Sequence, residues 1–230
     1  MKKIFIPALF IAFIALLSSC SASRLGGYSL SEKDAASAVR QMLEAGARNG
    51  VTNAFSKDAV MRTVFPEPVA KALNTLQQLG LTNEVDRFTT TLSTASEQTA
   101  QRSIPVFVDA IHNMPVTDAI RIIKSGGTAA TDYLRTTTGT QLRQSITPVM
   151  QTALAEYKLN EQWEQLIKPV KGIAGNKLNI DLSTLMAGYI SEKMFEKIGE
   201  QEKEIRSNAA ARNTALLRKV FSRNWTNINS

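Results

Sequence analysis

Apolar residues recur at intervals of three and four through most of this chain, the spacing that gathers them along one side of an α-helix. Ser31 stands where a helix cap is needed, Asp34 follows three residues on, and Ala35, Ala38, Val39 and Met42 share a face. This first helix is predicted to run to about Ala47, ahead of the breaker Asn49-Gly50. Ala54 to Val64 fits helix and loop equally. Phe65-Pro66-Glu67-Pro68 then starts a helix, since proline is tolerated in a first turn, and its stripe of Val69, Leu73, Leu76 and Leu79 ends at Gly80. From Thr82 the stripe Val85, Phe88, Leu92, Ala95 continues to Ile104, Val108 and Ile111, with a kink or break expected at Pro105.

Met114 to Asp118 restarts a short helix to about Lys124, Ser125-Gly126-Gly127 interrupts it, and a second short helix passes Tyr133 and Leu134. Separate helices are predicted over Gln141–Tyr157 and Glu161–Ile167, followed by a loop from Lys168 to Asn179. Asp181 caps the strongest helix, with Leu182, Leu185, Met186, Tyr189, Met194 and Ile198 inward, and a last helix carries Leu216, Leu217, Val220 and Phe221. No segment sustains the alternation of a strand and no fixed repeat stands out. The expectation is an all-α fold, a single compact multi-helix domain of about eight helices over residues 30–222, with a tail at 223–230.

The first residues follow another pattern. Lys2 and Lys3 precede an apolar run from Ile4 to Leu17, then Ser18, Ser19 and Cys20. That is the layout of an export signal, residues 1–19, and the run is shorter than the roughly 20 residues of a permanent membrane span. Leu17-Ser18-Ser19-Cys20 resembles the lipobox of bacterial lipoproteins, a resemblance that implies acylation of Cys20 and a membrane as the first partner; the competing reading is a free thiol after an ordinary signal. Residues 20–29 would then be a flexible tether, small and polar in composition. No Asp follows Cys20, which by resemblance to enterobacterial sorting rules implies the periplasmic face of the outer membrane.

Composition narrows the chemistry. Cys20 is the only cysteine, so no intramolecular disulfide forms and the core alone must hold the domain. The formal charge of +7 falls to +5 without Lys2 and Lys3, an excess that suits an anionic lipid or glycan surface or simply keeps the chain soluble. No basic block with interleaved aromatics points to nucleic acid, and no motif implies a cofactor.

Several segments together resemble the uncharacterised bacterial family DUF4197. They are Phe65-Pro66-Glu67-Pro68 ahead of Leu79-Gly80-Leu81, Phe107-Val108-Asp109-Ala110-Ile111 with Met114, Gly126-Gly127-Thr128 through Tyr133-Leu134-Arg135, and Glu200 through Arg206. Ala210-Ala211-Arg212 with Leu216 through Phe221 resembles the family terminus, so the likeness spans about residues 30–222. It implies an exported helical protein and brings no established activity.

His112 is the only histidine, so no two-histidine metal site can form, and no metal ligand set is assigned. Asp109 precedes it by one helical turn and could make an acid–base pair; a surface or capping interaction is the plainer alternative. Ser125-Gly126-Gly127-Thr128 could cradle an anion at a helix start, or could simply end one helix and cap the next through Thr128. Arg135 is spaced to pair with Asp132. Glu200 and Glu204 share a face that Glu202 does not, and Lys197, Lys203 and Arg206 lie near enough for an ion-pair network. With no catalytic constellation, the sequence reads as a non-enzymatic module for an envelope protein, lipid or glycan. The rival is a small-ligand or lipid binder, or an enzyme, with a site near Asp109, His112, Gly126, Gly127, Thr128 and Arg135.

Overall fold

A computed structural model describes residues 30–49, 54–223 and 225. Residues 1–29, on which the expected export signal, Cys20 and the expected tether fall, lie outside the described residues, as does all of the tail after Arg223 except Trp225. The described chain is helical, with no strand among these residues: α1 (Glu32–Asn49), α2 (Lys57–Thr63), α3 (Glu67–Gln78), α4 (Thr82–Asn113), α5 (Ala119–Ser125), α6 (Ala129–Glu156), α7 (Leu159–Ile167), α8 (Lys171–Ala174), α9 (Leu182–Ser207) and α10 (Ala215–Phe221). No described helix is long and apolar enough to cross a membrane.

The caps predicted from sequence are in place. Ser31 Oγ accepts the Asp34 amide at 3.1 Å, and Asp181 Oδ1 accepts the amides of Ser183 at 2.9 Å and Thr184 at 3.3 Å. Pro66 and Pro68 bracket the first turn of α3, where their missing amides cost nothing. Gly80, at a φ of +91°, turns the chain out of α3. Leu79, expected inward, is 63% exposed, because it stands at the C-cap, where the helical stripe has already lost its register.

α1, α4, α6 and α9 form the centre: α4 packs on α6, α6 on α9, α9 on α1, and α1 returns to α4. Phe107 of α4 meets Phe195 of α9 edge-on with ring centroids 5.5 Å apart, a favourable aromatic geometry. Outside this centre, Trp163 of α7 stacks on Phe65 at 6.0 Å and leans on Phe88 of α4 at 5.5 Å, which pins α3 and α7 to the long helix.

Three expectations are corrected. Of the kink or break expected at Pro105, the break does not occur: α4 runs as one helix of 32 residues. A proline inside a helix costs about 3 kcal/mol, and burial of Ala100, Ser103, Phe107 and Ile111 on both sides of it outweighs that local penalty. The two helices expected either side of Gly139 are one, α6, because Thr138, Gly139 and Leu142 remain on its buried face. The stretch Lys168–Asn179 is not a loop throughout, since it contains α8 and a 3-10 turn, Gly175–Leu178.

The buried face of α4 also holds Thr89, Ser96, Thr99 and Ser103. Each hydroxyl donates to the carbonyl four residues back, at 2.9, 2.6, 2.8 and 2.7 Å respectively, so a polar stripe enters the core without an unmet donor.

Candidate functional site

The junction of α5, α6 and α9 is built around a carboxylate. α5 ends at Gly126 and Gly127, whose φ angles of +72° and +55° suit residues without a Cβ, and α6 starts two residues later. The first amides of α6 need acceptors, yet Thr128, at the N-cap, does not supply one: its hydroxyl donates to Asp132 Oδ2 at 2.9 Å. Glu202 of α9 does so instead. Its Oε1 accepts the Ala130 amide at 3.0 Å, and its Oε2 accepts the Thr131 amide at 2.8 Å and the Thr131 hydroxyl at 2.6 Å.

Glu202 is fully buried, and Arg206 one turn later balances its charge, donating to Oε1 through Nε at 3.0 Å and Nη2 at 2.8 Å. The same guanidinium donates to the carbonyls of Ile123 at 3.0 Å and Ile122 at 3.2 Å near the end of α5, and lies over the Phe221 ring at 5.3 Å. One ion pair therefore satisfies the start of α6 and the end of α5 together. The helix start considered as an external anion cradle has two of its amides already taken by the protein itself.

Beside this pair opens a cleft of about 570 Å³. Lys124, Gly126 and Gly127 form one wall, Lys203, Arg206 and Ser207 a second, and Phe221, Arg223 and Trp225 a third. The Trp225 indole is buried and donates to the Val220 carbonyl at 2.7 Å, which ties the chain after α10 to that helix. Among the described residues, four cationic side chains line the cleft and no acidic one does. A concave surface of one sign concentrates the potential that draws an anion.

The candidate residues taken from sequence do not meet in one place. Asp109 lies on the rim of another cleft, of about 710 Å³, between α4 and α6, with Thr137, Gln141 and Ser145. The hydrogen-bond partner of His112 is not Asp109 but Glu44 of α1, with Nε2 and Oε2 3.2 Å apart. Glu44 also accepts from Arg48 at 2.8 Å, and these contacts, Arg48 first and His112 second, hold its carboxyl below the usual range. Arg135 lies 3.7 Å from Asp132, as its spacing suggested, but also 3.4 Å from Glu192, with its guanidinium over Phe195 at 5.1 Å. Gly126 and Gly127 alone of this set line the basic cleft. Among the described residues no three His, Cys, Asp or Glu side chains gather as a metal site.

The model of the family described as a protein of unknown function, DUF4197, matches residues 29–222. The chain belongs to the DUF4197 family. The match takes in α1 through α10 and stops at Ser222, so two residues of the cleft wall, Arg223 and Trp225, follow the segment shared with DUF4197. No curated protein and no solved structure matches this DUF4197 chain.

By spacing Glu202 lies off the face shared by Glu200 and Glu204, in a run of charges that is expected at the surface. The signal for its burial was present, since Glu202 falls between Ile198 and Ile205 on the inward stripe of α9, where a lone carboxylate requires a partner. Lys124, Lys203 and Phe221 belong to three separate helices and carry no mutual signal in a single sequence.

Proposed function

We propose that this DUF4197 protein is an exported, lipid-anchored envelope protein whose helical domain is a non-enzymatic binding module. The observation that carries the reading is the basic cleft at the α5–α6 turn, which among the described residues is lined by Lys124, Lys203, Arg223 and the Glu202-paired Arg206 and by no carboxylate or histidine. Such a surface attracts and holds an anion. The signal-like residues 1–19 and the lipobox-like Leu17 to Cys20 support attachment to a membrane, and the residue after Cys20 supports the periplasmic face of the outer membrane.

Intact mass of the protein purified from membranes tests the anchor. The expected species begins at Cys20 and carries acyl chains, and Cys20→Ala moves the protein out of the membrane fraction. A mature chain that starts elsewhere, or has no acyl group, overturns that part of the reading.

A second reading, a small-ligand site at Asp109, is favoured by the cleft between α4 and α6 but loses His112, Gly126 and Gly127 as co-workers. Mutation of Asp109 tests it separately.

A further inference from the structure

Lys124 belongs to two hollows at once. It lines the basic cleft with Gly126, Lys203 and Arg206, and it lines the neighbouring hollow with Glu32, the first residue of α1. The chain thus enters the domain beside the cleft. Asp34 of the same first turn lies 3.3 Å from Lys219 of α10, which fixes the entry point against the helix that leads to Arg223.

The ten residues from Ser21 to Leu30 span at most about 35 Å when extended. A chain acylated at Cys20 therefore holds this cleft within a few tens of ångströms of the headgroups of its own membrane. This step rests on the lipid-anchored reading above.

The cleft has the chemistry for a phosphate. Arg206 is committed to Glu202 and to two carbonyls, so it shapes the floor and contributes little free charge. Lys124 and Lys203 make no ion pair among the described residues, and each keeps its ammonium available as a compact donor of the kind phosphates accept. Around Gly126 and Gly127 the backbone is open, with no atom other than those of the chain neighbours within 4 Å of where a Cβ would stand, so an anion in the cleft can approach the main chain. The apolar rings of Phe221 and Trp225 line the same cleft, where glycerol or acyl methylenes would rest.

We propose that the cleft formed by Lys124, Gly126, Gly127 and Lys203 binds the phosphate of an anionic phospholipid headgroup. The anchor brings the domain to the surface, and the cleft then sets which face of the domain lies against it.

The test uses the full processed chain purified from membranes in neutral detergent, with its intact mass recorded first. Binding of soluble dioctanoyl phosphatidylglycerol, dioctanoyl phosphatidylcholine and inorganic phosphate is followed by native mass spectrometry and titration calorimetry. Phosphatidylglycerol is expected to bind about 25-fold tighter than phosphatidylcholine, and Lys124→Gln with Lys203→Gln to remove that preference, each surface lysine contributing on the order of a fivefold change. The double variant is expected to melt with the parent, since neither lysine side chain makes an ion pair among the described residues. Equal affinity for the two lipids overturns the proposal, as does a preference that survives the double substitution. Inorganic phosphate binding as tightly as phosphatidylglycerol also overturns the lipid assignment and makes the cleft a free-phosphate site. An unacylated Cys20 with the lipid preference intact removes the anchor while supporting the cleft, so the two failures are told apart.

Discussion

A Cβ placed on Gly46 would stand 2.9 Å from the Cα of Ile198 and 3.2 Å from its carbonyl oxygen. α1 and α9 therefore approach to a distance that no side chain at Gly46 permits, and the atoms in the way are backbone, which cannot swing aside.

Gly46→Ala is expected to destabilise the domain by about 1–2 kcal/mol, because overpacking of about 1–3 kcal/mol exceeds the gain of roughly 0.5–1 kcal/mol from replacing a helical glycine. Gly188→Ala in α9 meets only the Arg143 Cδ at 3.8 Å and is expected to keep that gain. Urea unfolding of both variants checks the contrast; equal shifts would show that the α1–α9 contact yields.

Glu202→Ala leaves the Ala130 and Thr131 amides, the Thr131 hydroxyl and the Arg206 guanidinium without their shared acceptor. A loss of about 3–5 kcal/mol is expected, as for breaking a buried charge pair. Glu202→Gln keeps the volume and part of the hydrogen bonding, so its loss should be smaller. Chemical denaturation reads both, and a loss under about 1 kcal/mol for the alanine variant would contradict the role given to this carboxylate.

These two predictions also mark how far a single sequence reaches. The helices were legible because burial at three- and four-residue spacing is local, and Ser31, Pro66, Gly80 and Asp181 act on residues within one turn. Glu202 acts on an amide 72 residues away, and nothing local distinguishes it from its exposed neighbours Glu200 and Glu204 except its place on the apolar stripe. Gly126 and Gly127 were readable as a turn, whereas Lys203 reaches the same cleft only through the crossing of α6 and α9. At Pro105 and Gly139 the local preference for a break was real, and packing on both sides overrode it.

Tyr189 is buried against Phe55, with ring centroids 5.9 Å apart, and its hydroxyl has no hydrogen-bond partner among the described residues. Burial first, and Glu196 second, push its pKa above the ordinary value of 10.0. Tyr189→Phe is expected to be neutral or to stabilise by up to about 1 kcal/mol, since it removes an unmet polar group and keeps the ring contact. Thermal melting decides; a fall of several degrees would point to a partner that the hydroxyl does use.

Acid should weaken the fold through Asp181 and Glu44. The hydroxyls of Ser183 and Thr184 hold the Asp181 carboxyl below its ordinary 3.8, as Arg48 and His112 hold Glu44 below 4.5. With the folded values lowered, the unfolded chain takes up protons first as pH falls. The stabilisation is complete above the ordinary values and drains away as pH drops through the lowered ones. Asp181→Ala should cost about 1 kcal/mol at neutral pH and flatten the decline of stability below about pH 4. Melting curves from pH 7 to pH 2 test this, and an unchanged acid slope would exclude Asp181 as a contributor.

The close approach of Gly46 and Ile198 joins the first helix of the domain to nearly the last. A ribosome delivers α1 long before α9 and α10 exist, so Ala38, Val39, Met42 and Leu43 lack their final cover until nearly the whole chain is made. Truncation anywhere before α9 would remove the surface against which the start of the domain closes, and the fold should fail as a unit instead of losing only its end.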